Sequence, residues 1–395
     1  MLNNIKGFRN FYTKATAFSL AFIFSAFLSF AHEHGHKSEE ANAKDTAHAV
    51  AEADTNHATH AAEEAHHGAE HGTEKFDAGK MIMEHVADAH DWHLWGHTSI
   101  PLPIIIYSSE KGLDIFSSSK FNHGHDNYNG YRLEHNTVVA VNEDGTVNEE
   151  LSANLWDISI TKNTASLFIS LILMLFIFIS AAKAYTRNPN TAPKGIQAII
   201  EPIIIFVRDD IAKASIGPKY KKFMPFLLTV FFFIWINNLL GLIPIFPGGA
   251  NLTGNIAVAL SLAVFTFVII LINANKNYWM HVFAMPGVPV WVLFLLTPIE
   301  ILGVFLRPFV LMVRLFANMT AGHIIALSFF SLIFIFGEMN AAAGYGVSVF
   351  SLAFTVFMTC LELLVAFLQA YVFTLLSAIY FGSAIEEHHH AEEHH

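Results

Sequence analysis

Cysteine is almost absent: one residue, Cys360, in 395 leaves no intrachain disulfide and no cysteine-based metal site. Charge is scarce as well, at 14% of residues against 53% hydrophobic, where soluble domains carry about 25% charged residues. With a mean hydropathy of +0.44, this shortage implies a polytopic membrane protein. The net charge of -11 arises from acidic residues clustered before residue 160, while Lys and Arg are scattered between hydrophobic runs. That pattern excludes nucleic acid as a partner.

What is present begins with a basic opening (Lys6, Arg9, Lys14), the apolar "ATAFSLAFIFSAFLSFA", and Ser29 and Ala31 just before "HEHGH". The pattern predicts a secretory signal peptide over 1–31. An uncleaved anchor is the alternative, although its apolar part is shorter than the ~20 residues of a span. In both cases the following segment starts outside the cytoplasm. Residues 32–74 are Ala, His and Glu with almost no large apolar side chain, a composition that cannot offset ordering entropy and predicts disorder. Its histidines could bind divalent metal or buffer protons, or belong to a plain solvated tail.

Residues 75–158 carry the strand-like runs "PLPIIIYSS" and "NTVVAVNEDGTVNEE", the second broken by an Asp144-Gly145 turn signal. They predict a small extracytoplasmic domain with some β structure. In "HVADAHDWHLWGH", His85, His90, His93 and His97 either offer a metal site or decorate a helical surface.

The rest, 159–386, predicts an all-α membrane domain followed by a His-rich tail, 387–395. Five apolar stretches occur at about 164–184, 223–247, 256–275, 290–336 and 347–383. The first three have ordinary span lengths. A continuous helix of ~45 residues would be roughly 70 Å long, over twice the ~30 Å hydrocarbon thickness. Each of the last two therefore contains two crossings or is one strongly tilted helix. Lys183, Arg187, Lys194, Arg208, Lys213, Lys219, Lys221 and Lys222 crowd the first connection, which places it in the cytoplasm. "FPGGANLTGN" has no Lys or Arg and falls outside, so five crossings leave the C-terminus cytoplasmic. Within the cytoplasmic connection, "IQAIIEPIIIFVRDDIAKASIG" suits either a membrane-surface stripe or a packed connector.

Charge inside the fourth stretch is costly: a mid-bilayer arginine costs about 2.5–3.5 kcal/mol on insertion scales. Arg307, beside Pro308, could snorkel to an interface. Arg314 has about twenty apolar-dominated residues on either side and demands a functional reason. Glu300, Arg307, Arg314 and Ala321 recur every seven residues and line one helical stripe, with Asn318 one turn beyond Arg314. His323, nine residues from Arg314, points to the opposite side. Ala317, Ala321 and Gly322 are small enough for another helix to approach, or for ordinary internal packing. In the last stretch, Glu362 and Gln369 share a face, and an unpaired carboxylate in hydrocarbon must titrate or find a partner; His323 is an available one. Asn237 and Asn238 read as hydrogen-bonding glue between helices.

The motifs "PIEILGVFLRP", "RLFANMTAGH" and "LQAYVF", supported by "NNLLGLIP" and "LTGNIAVAL", resemble subunit a of F-type ATP synthases over about residues 155–386. The resemblance implies a membrane component with no catalytic site and no cofactor, in an energy-transducing (bacterial inner) membrane. Its partners would be the c-subunit ring, the peripheral-stalk b subunits, the F1 sector and lipid. It implies two proton half-channels and a tilted hairpin of long helices around the ring. Arg314 would face the ring carboxylate, with Gln369 near it and Asn318 as polar helper. His323 and Glu362 would serve the outer half-channel, and Glu300 the cytoplasmic one. Gly241 stands where some bacterial relatives have aspartate, so that group is missing here. Residues 32–150 fall outside the likeness. The rival is a zinc transporter fed by the His-rich segment, which would want His or acidic pairs at i,i+4 within the spans; none occurs. A plain membrane anchor would need none of the membrane-depth charges.

Overall fold

The computed structural model describes residues 77–386 apart from 96–97, 110, 135, 188–191, 244–245, 286–287 and 340. The expected leader 1–31, the segment 32–74, His97 and the tail 387–395 lie outside the described residues, as do the side chains of His85 and His93.

The first described region contains α1 (Ala78–Val86), β1 (Asp91–Trp95), β2 (Thr98–Pro101), β3 (Pro103–Ser108), β4 (Gly112–Ser117), β5 (Tyr131–Glu134), β6 (Thr137–Ala140), α2 (Glu149–Ala153) and β7 (Trp156–Asp157). Its strands form three small antiparallel sheets, β1-β2, β4-β3-β7 and β5-β6. The period-two pattern of β3 turns Ile104 and Ile106 inward, where they pack with Phe121, Tyr131, Val138 and Ala140. At the expected turn, Gly145 takes φ +83° and the Asp144 carboxylate accepts from the Thr146 backbone N–H at 3.0 Å.

Beside β7, Asp157 Oδ2 lies 3.5 Å from His90 Nε2, and both residues are buried. The separation is at the long limit of a hydrogen bond, so the attraction is chiefly electrostatic. Burial pushes the Asp157 carboxyl up, but His90 and the Ser159 hydrogen bonds outweigh it and hold the group below its ordinary 3.8. A carboxyl depressed on folding stabilises above its unfolded value and loses that contribution as pH falls through its folded one. The melting temperature of the purified protein is therefore expected to drop as pH goes below about 3.8. Asp157→Asn should flatten that step in pH-resolved tryptophan-fluorescence melts.

The second region holds α3 (Lys162–Arg187), α4 (Ile196–Phe206), α5 (Met224–Leu242), α6 (Ile256–Asn273), α7 (Lys276–Phe283), α8 (Val290–Met339) and α9 (Ala341–Ile385). Five of these, α3, α5, α6, α8 and α9, are long and apolar enough to cross a membrane. They coincide with the five stretches of the sequence. The last two are single continuous helices of 50 and 45 residues. Of the two alternatives for those stretches, two short crossings each is thereby excluded. Pro298 and Pro308 lie within α8 without ending it, since neighbouring helices can re-satisfy the carbonyls they leave open.

The α8 and α9 helices run antiparallel: Gly337 meets Gly344, Phe329 meets Ser351 and Phe354, and Gly322 meets Glu362. On α9, Ala366, Ala370, Thr374, Ser377, Ala378, Phe381 and Ala384 are buried at helical spacing, a face that admits close neighbours. Against it packs α5, whose Phe231 and Trp235 interlock with Phe367 edge to face. The connection after α4 widens into a π-helical turn, Val207–Lys213, with Val207, Ile211 and Ala212 fully buried. Its polar side is laced by Arg208 and Lys213 onto the Asp209 carboxylate. One side of the segment is thus packed against the bundle, while Ile196, Ile199 and Ile205 stay exposed, so the structure leaves both the packed-connector and the membrane-surface readings standing.

Gly382 of α9 lies so near the Ser215 carbonyl that a Cβ would collide with backbone. Gly382→Ala is expected to cost about 1–3 kcal/mol, the usual penalty of overpacking. Thermal melts in detergent check this against Gly346→Ala, where nothing lies within 4 Å.

Candidate functional site

Four ionisable residues of α8, Glu300, Arg307, Arg314 and His323, fall into three environments. Near its start Arg307 Nη1 donates to the Tyr278 hydroxyl of α7 at 3.3 Å, and its guanidinium lies 5.5 Å from the Tyr380 ring centre on α9. Glu300, half-buried, also acts electrostatically on Tyr278. Arg307 is therefore held by two tyrosines on neighbouring helices, a role the sequence had left between snorkelling and function. Tyr278 and Tyr380 gave no signal of their own, because aromatic residues near helix ends are common in such chains.

One turn pair further on, Arg314 is half-buried and has no hydrogen-bond or ion-pair partner among the described residues. Leu311, Met312 and Leu315 beside it are buried in the bundle, whereas Val313, Ala317, Asn318 and Ala321 are exposed. A guanidinium thus stands at the edge of an open face made of small and polar residues. Gln369 is buried on α9 at 6% exposure, while Asn318 is exposed on α8. No hydrogen bond joins either of them to Arg314 among the described residues.

His323 lies on the other side of α8, as the nine-residue separation requires. Its Nε2 would be 3.6 Å from a Cβ at Gly241 of α5. The neighbouring Gly322 faces Glu362 of α9, whose Oε1 would lie 2.9 Å from a Cβ there. His323 Nε2 and Glu362 Oε1 are both buried and both without a hydrogen-bond partner among the described residues. The two expected outer-path residues are thus brought to one junction of α5, α8 and α9 but not hydrogen-bonded to each other. Glycine at 322 leaves room for Glu362, whereas a Cβ at 241 would make only ordinary contact with His323.

Around this junction runs a polar seam. The Thr253 hydroxyl donates to Asn238 Oδ1 at 2.6 Å, Asn238 Nδ2 donates to the Ala366 carbonyl at 3.2 Å, and the Thr320 hydroxyl donates to the Gly254 carbonyl at 3.2 Å. Asn238 is interhelical glue as expected. Asn237 instead bonds back to Phe233 of its own helix, leaving its Oδ1 buried and without a hydrogen-bond partner among the described residues. Thr253 and Thr320 were not singled out, since hydroxyls within apolar runs are common and only the fold brings these two to the seam. Unpartnered buried polar atoms on Asn237, Asn251, His323 and Glu362 mark a region that calls for water or a mobile proton.

No group of three or more His, Cys, Asp or Glu able to hold a metal ion occurs among the described residues. The chemistry available is proton transfer along hydroxyl, imidazole and carboxylate groups, with Arg314 as a separate cation.

Comparison with known proteins gives two matches along the chain. The family described as ATP synthase A chain matches residues 164–382, and one described only as a domain of unknown function matches 81–158. Among similar proteins, "ATP synthase subunit a 2" of Chlorobaculum tepidum is 47% identical over 235 residues, covering 58% of this chain and 64% of that protein. "ATP synthase subunit a" of Chloroherpeton thalassium is 42% identical over 246 residues, 61% of this chain and 71% of that one. The protein of the same name from Myxococcus xanthus is 42% identical over 246 residues, 60% of this chain and 77% of that one. The match to the first of these thus spans just under two thirds of its length.

Proposed function

Since the chain belongs to the ATP synthase A chain family, we propose that it is the proton-translocating subunit a of an F-type ATP synthase, working with a ring of c subunits in an energy-transducing membrane. The observation that carries this reading is Arg314, a guanidinium on a 50-residue apolar helix, unpartnered among the described residues beside the open face of Ala317, Asn318 and Ala321. A charge at membrane depth is retained only where something off this chain, or a water-filled path, compensates it.

The mechanism follows from the two sides of α8. A proton from outside reaches Glu362 and His323, then neutralises a ring carboxylate, which can rotate into lipid at low desolvation cost. After nearly a full turn the carboxylate meets Arg314, whose field favours the ionised form and releases the proton toward a cytoplasmic path that includes Glu300. Gln369 and Asn318 orient the pair. Arg314 also blocks a direct proton hop between the two paths, so passage requires rotation. Each charge moved through 100 mV supplies about 2.3 kcal/mol, so several are needed per ATP. The long helices α8 and α9 form the tilted hairpin along the ring, peripheral-stalk b subunits hold the chain still, and the F1 sector makes ATP.

Orientation follows from charge: the connection from 183 to 222 carries eight Lys and Arg residues and faces the cytoplasm, while the 246–255 loop carries none and faces outward. The test is isolation of the chain with its partners. A ring of c subunits should copurify, and a cysteine at Ala317 or Ala321 should cross-link to the ring helix that bears the carboxylate. A stable complex without a ring would sink the assignment.

A further inference from the structure

The 77–158 region takes no part in the mechanism above, yet it is fastened to the membrane region through buried ionisable groups. Lys162, the first residue of α3, is 8% exposed; its ammonium donates to the Ala87 carbonyl at 3.1 Å and has Asp88 and Asp91 as electrostatic partners. The Asn163 backbone N–H donates to Asp88 Oδ1 at 3.0 Å, and that of Lys162 to the Ala89 carbonyl at 2.8 Å. His90 and Asp157 pair just above, 1% and 8% exposed. Nearby, the Trp92 indole N–H donates to the Gly248 carbonyl at 3.1 Å and its ring meets Phe246 edge-on. That contact seats the outer region on the loop whose Ala250 carbonyl, like His323 Nε2, faces Gly241. Lys162 in turn acts electrostatically on His323. Lys162 thus stands between Asp88 and Asp91 on the outer side and His323 on the inner.

A cap for α3 would need only one oxygen of Asp88. Taking further ionisable groups out of water is costly, and Asp88 Oδ2 and Asn163 Oδ1 are buried without a hydrogen-bond partner among the described residues. Oxygens of this kind are satisfied by water. We infer that the 77–158 region walls the outer mouth of the proton path, forming a hydrated vestibule lined by Asp88, His90, Asp157, Lys162 and Asn163 that leads to His323 and Glu362. The inference rests on the reading of the chain as a proton-translocating subunit. Within the vestibule His90 takes a proton from outside and passes it through water toward His323. Asp157 stays ionised and orients the imidazole. Lys162, balanced by Asp88 and Asp91, keeps other cations out of the narrow end.

The test uses the intact complex in liposomes, with ATP synthesis driven by a fixed electrical potential and the pH on the outer-domain side varied. His90→Ala should lower the rate about tenfold, equal to about 1.4 kcal/mol of barrier, and added imidazole should restore it without affecting the wild type. Asp157→Asn should shift the pH profile. Independently, Asn163→Cys, in a Cys360→Ser background, should react with a small hydrophilic thiol reagent applied from that side, and the reaction should block synthesis. An assembled His90→Ala complex with wild-type rates at every pH, a loss that imidazole does not restore, or an inert Asn163→Cys would each overturn the vestibule. If those results came while Arg314→Ala and Glu362→Gln were silenced, only this inference would fail. A wild-type complex without proton-coupled synthesis would instead remove the reading beneath it.

Discussion

Membranes carrying Arg314→Ala are expected to lose proton-driven ATP synthesis by about 10²–10³-fold, the scale of removing one preorganised charge from a low-dielectric site, while the protein itself stays folded. The two halves of this result have separate physical origins. In this chain Arg314 has no hydrogen-bond or ion-pair partner among the described residues and lies beside an exposed face, so its removal breaks no polar contact among them. Insertion becomes easier, because a mid-bilayer arginine costs about 2.5–3.5 kcal/mol on insertion scales. Under the proposed function, what disappears is the field that returns the ring carboxylate to its ionised form, and with it the barrier against a direct hop between the two paths. Arg314→Lys should not rescue fully, since a compact ammonium lacks the planar fork of guanidinium. Synthesis rates and passive proton leak, measured on the same vesicles, check both parts; retained coupled synthesis in Arg314→Ala would sink the assignment.

Glu362→Gln should lower proton uptake from the outer side by about 10²-fold, the low end of what a positioned proton-transfer group contributes. The substitution keeps shape, and Glu362 Oε1 has no hydrogen-bond partner to lose among the described residues. Its packing against Gly322 is preserved as well. A change in uptake therefore reports on titration and not on folding. Glu362→Asp, still titratable but shorter, should retain a measurable part of the rate. Uptake followed with a pH dye in liposomes checks the prediction, and wild-type uptake by an assembled Glu362→Gln complex would remove Glu362 from the path.

The two expectations also show which features were legible beforehand. Arg314 could be singled out because charge is conspicuous in an apolar run, and its direction relative to His323 followed from helical angle alone. The role of Arg307 could not, since the tyrosines that hold it come from residues 278 and 380, far away in the chain. Likewise the small residues near Arg314 looked like one surface. The fold divides them: Ala317 and Ala321 remain exposed, and Gly322 closes on Glu362.

The sequence by itself determined that five apolar segments are long enough to cross a membrane, that the last two are too long for ordinary spans, and that a few ionisable residues lie within these apolar runs. These depend on composition and on spacing along one helix, both local properties. Only the tertiary structure decided that each long segment is one helix, that the 207–213 turn is packed into the bundle, and that His323 lies against Gly241 while Glu362 lies against Gly322. It alone joined Asp88 to Asn163 and His90 to Asp157 across separations of 75 and 67 positions. Such contacts depend on which surfaces close against each other when the helices pack, and no periodicity within a segment encodes them.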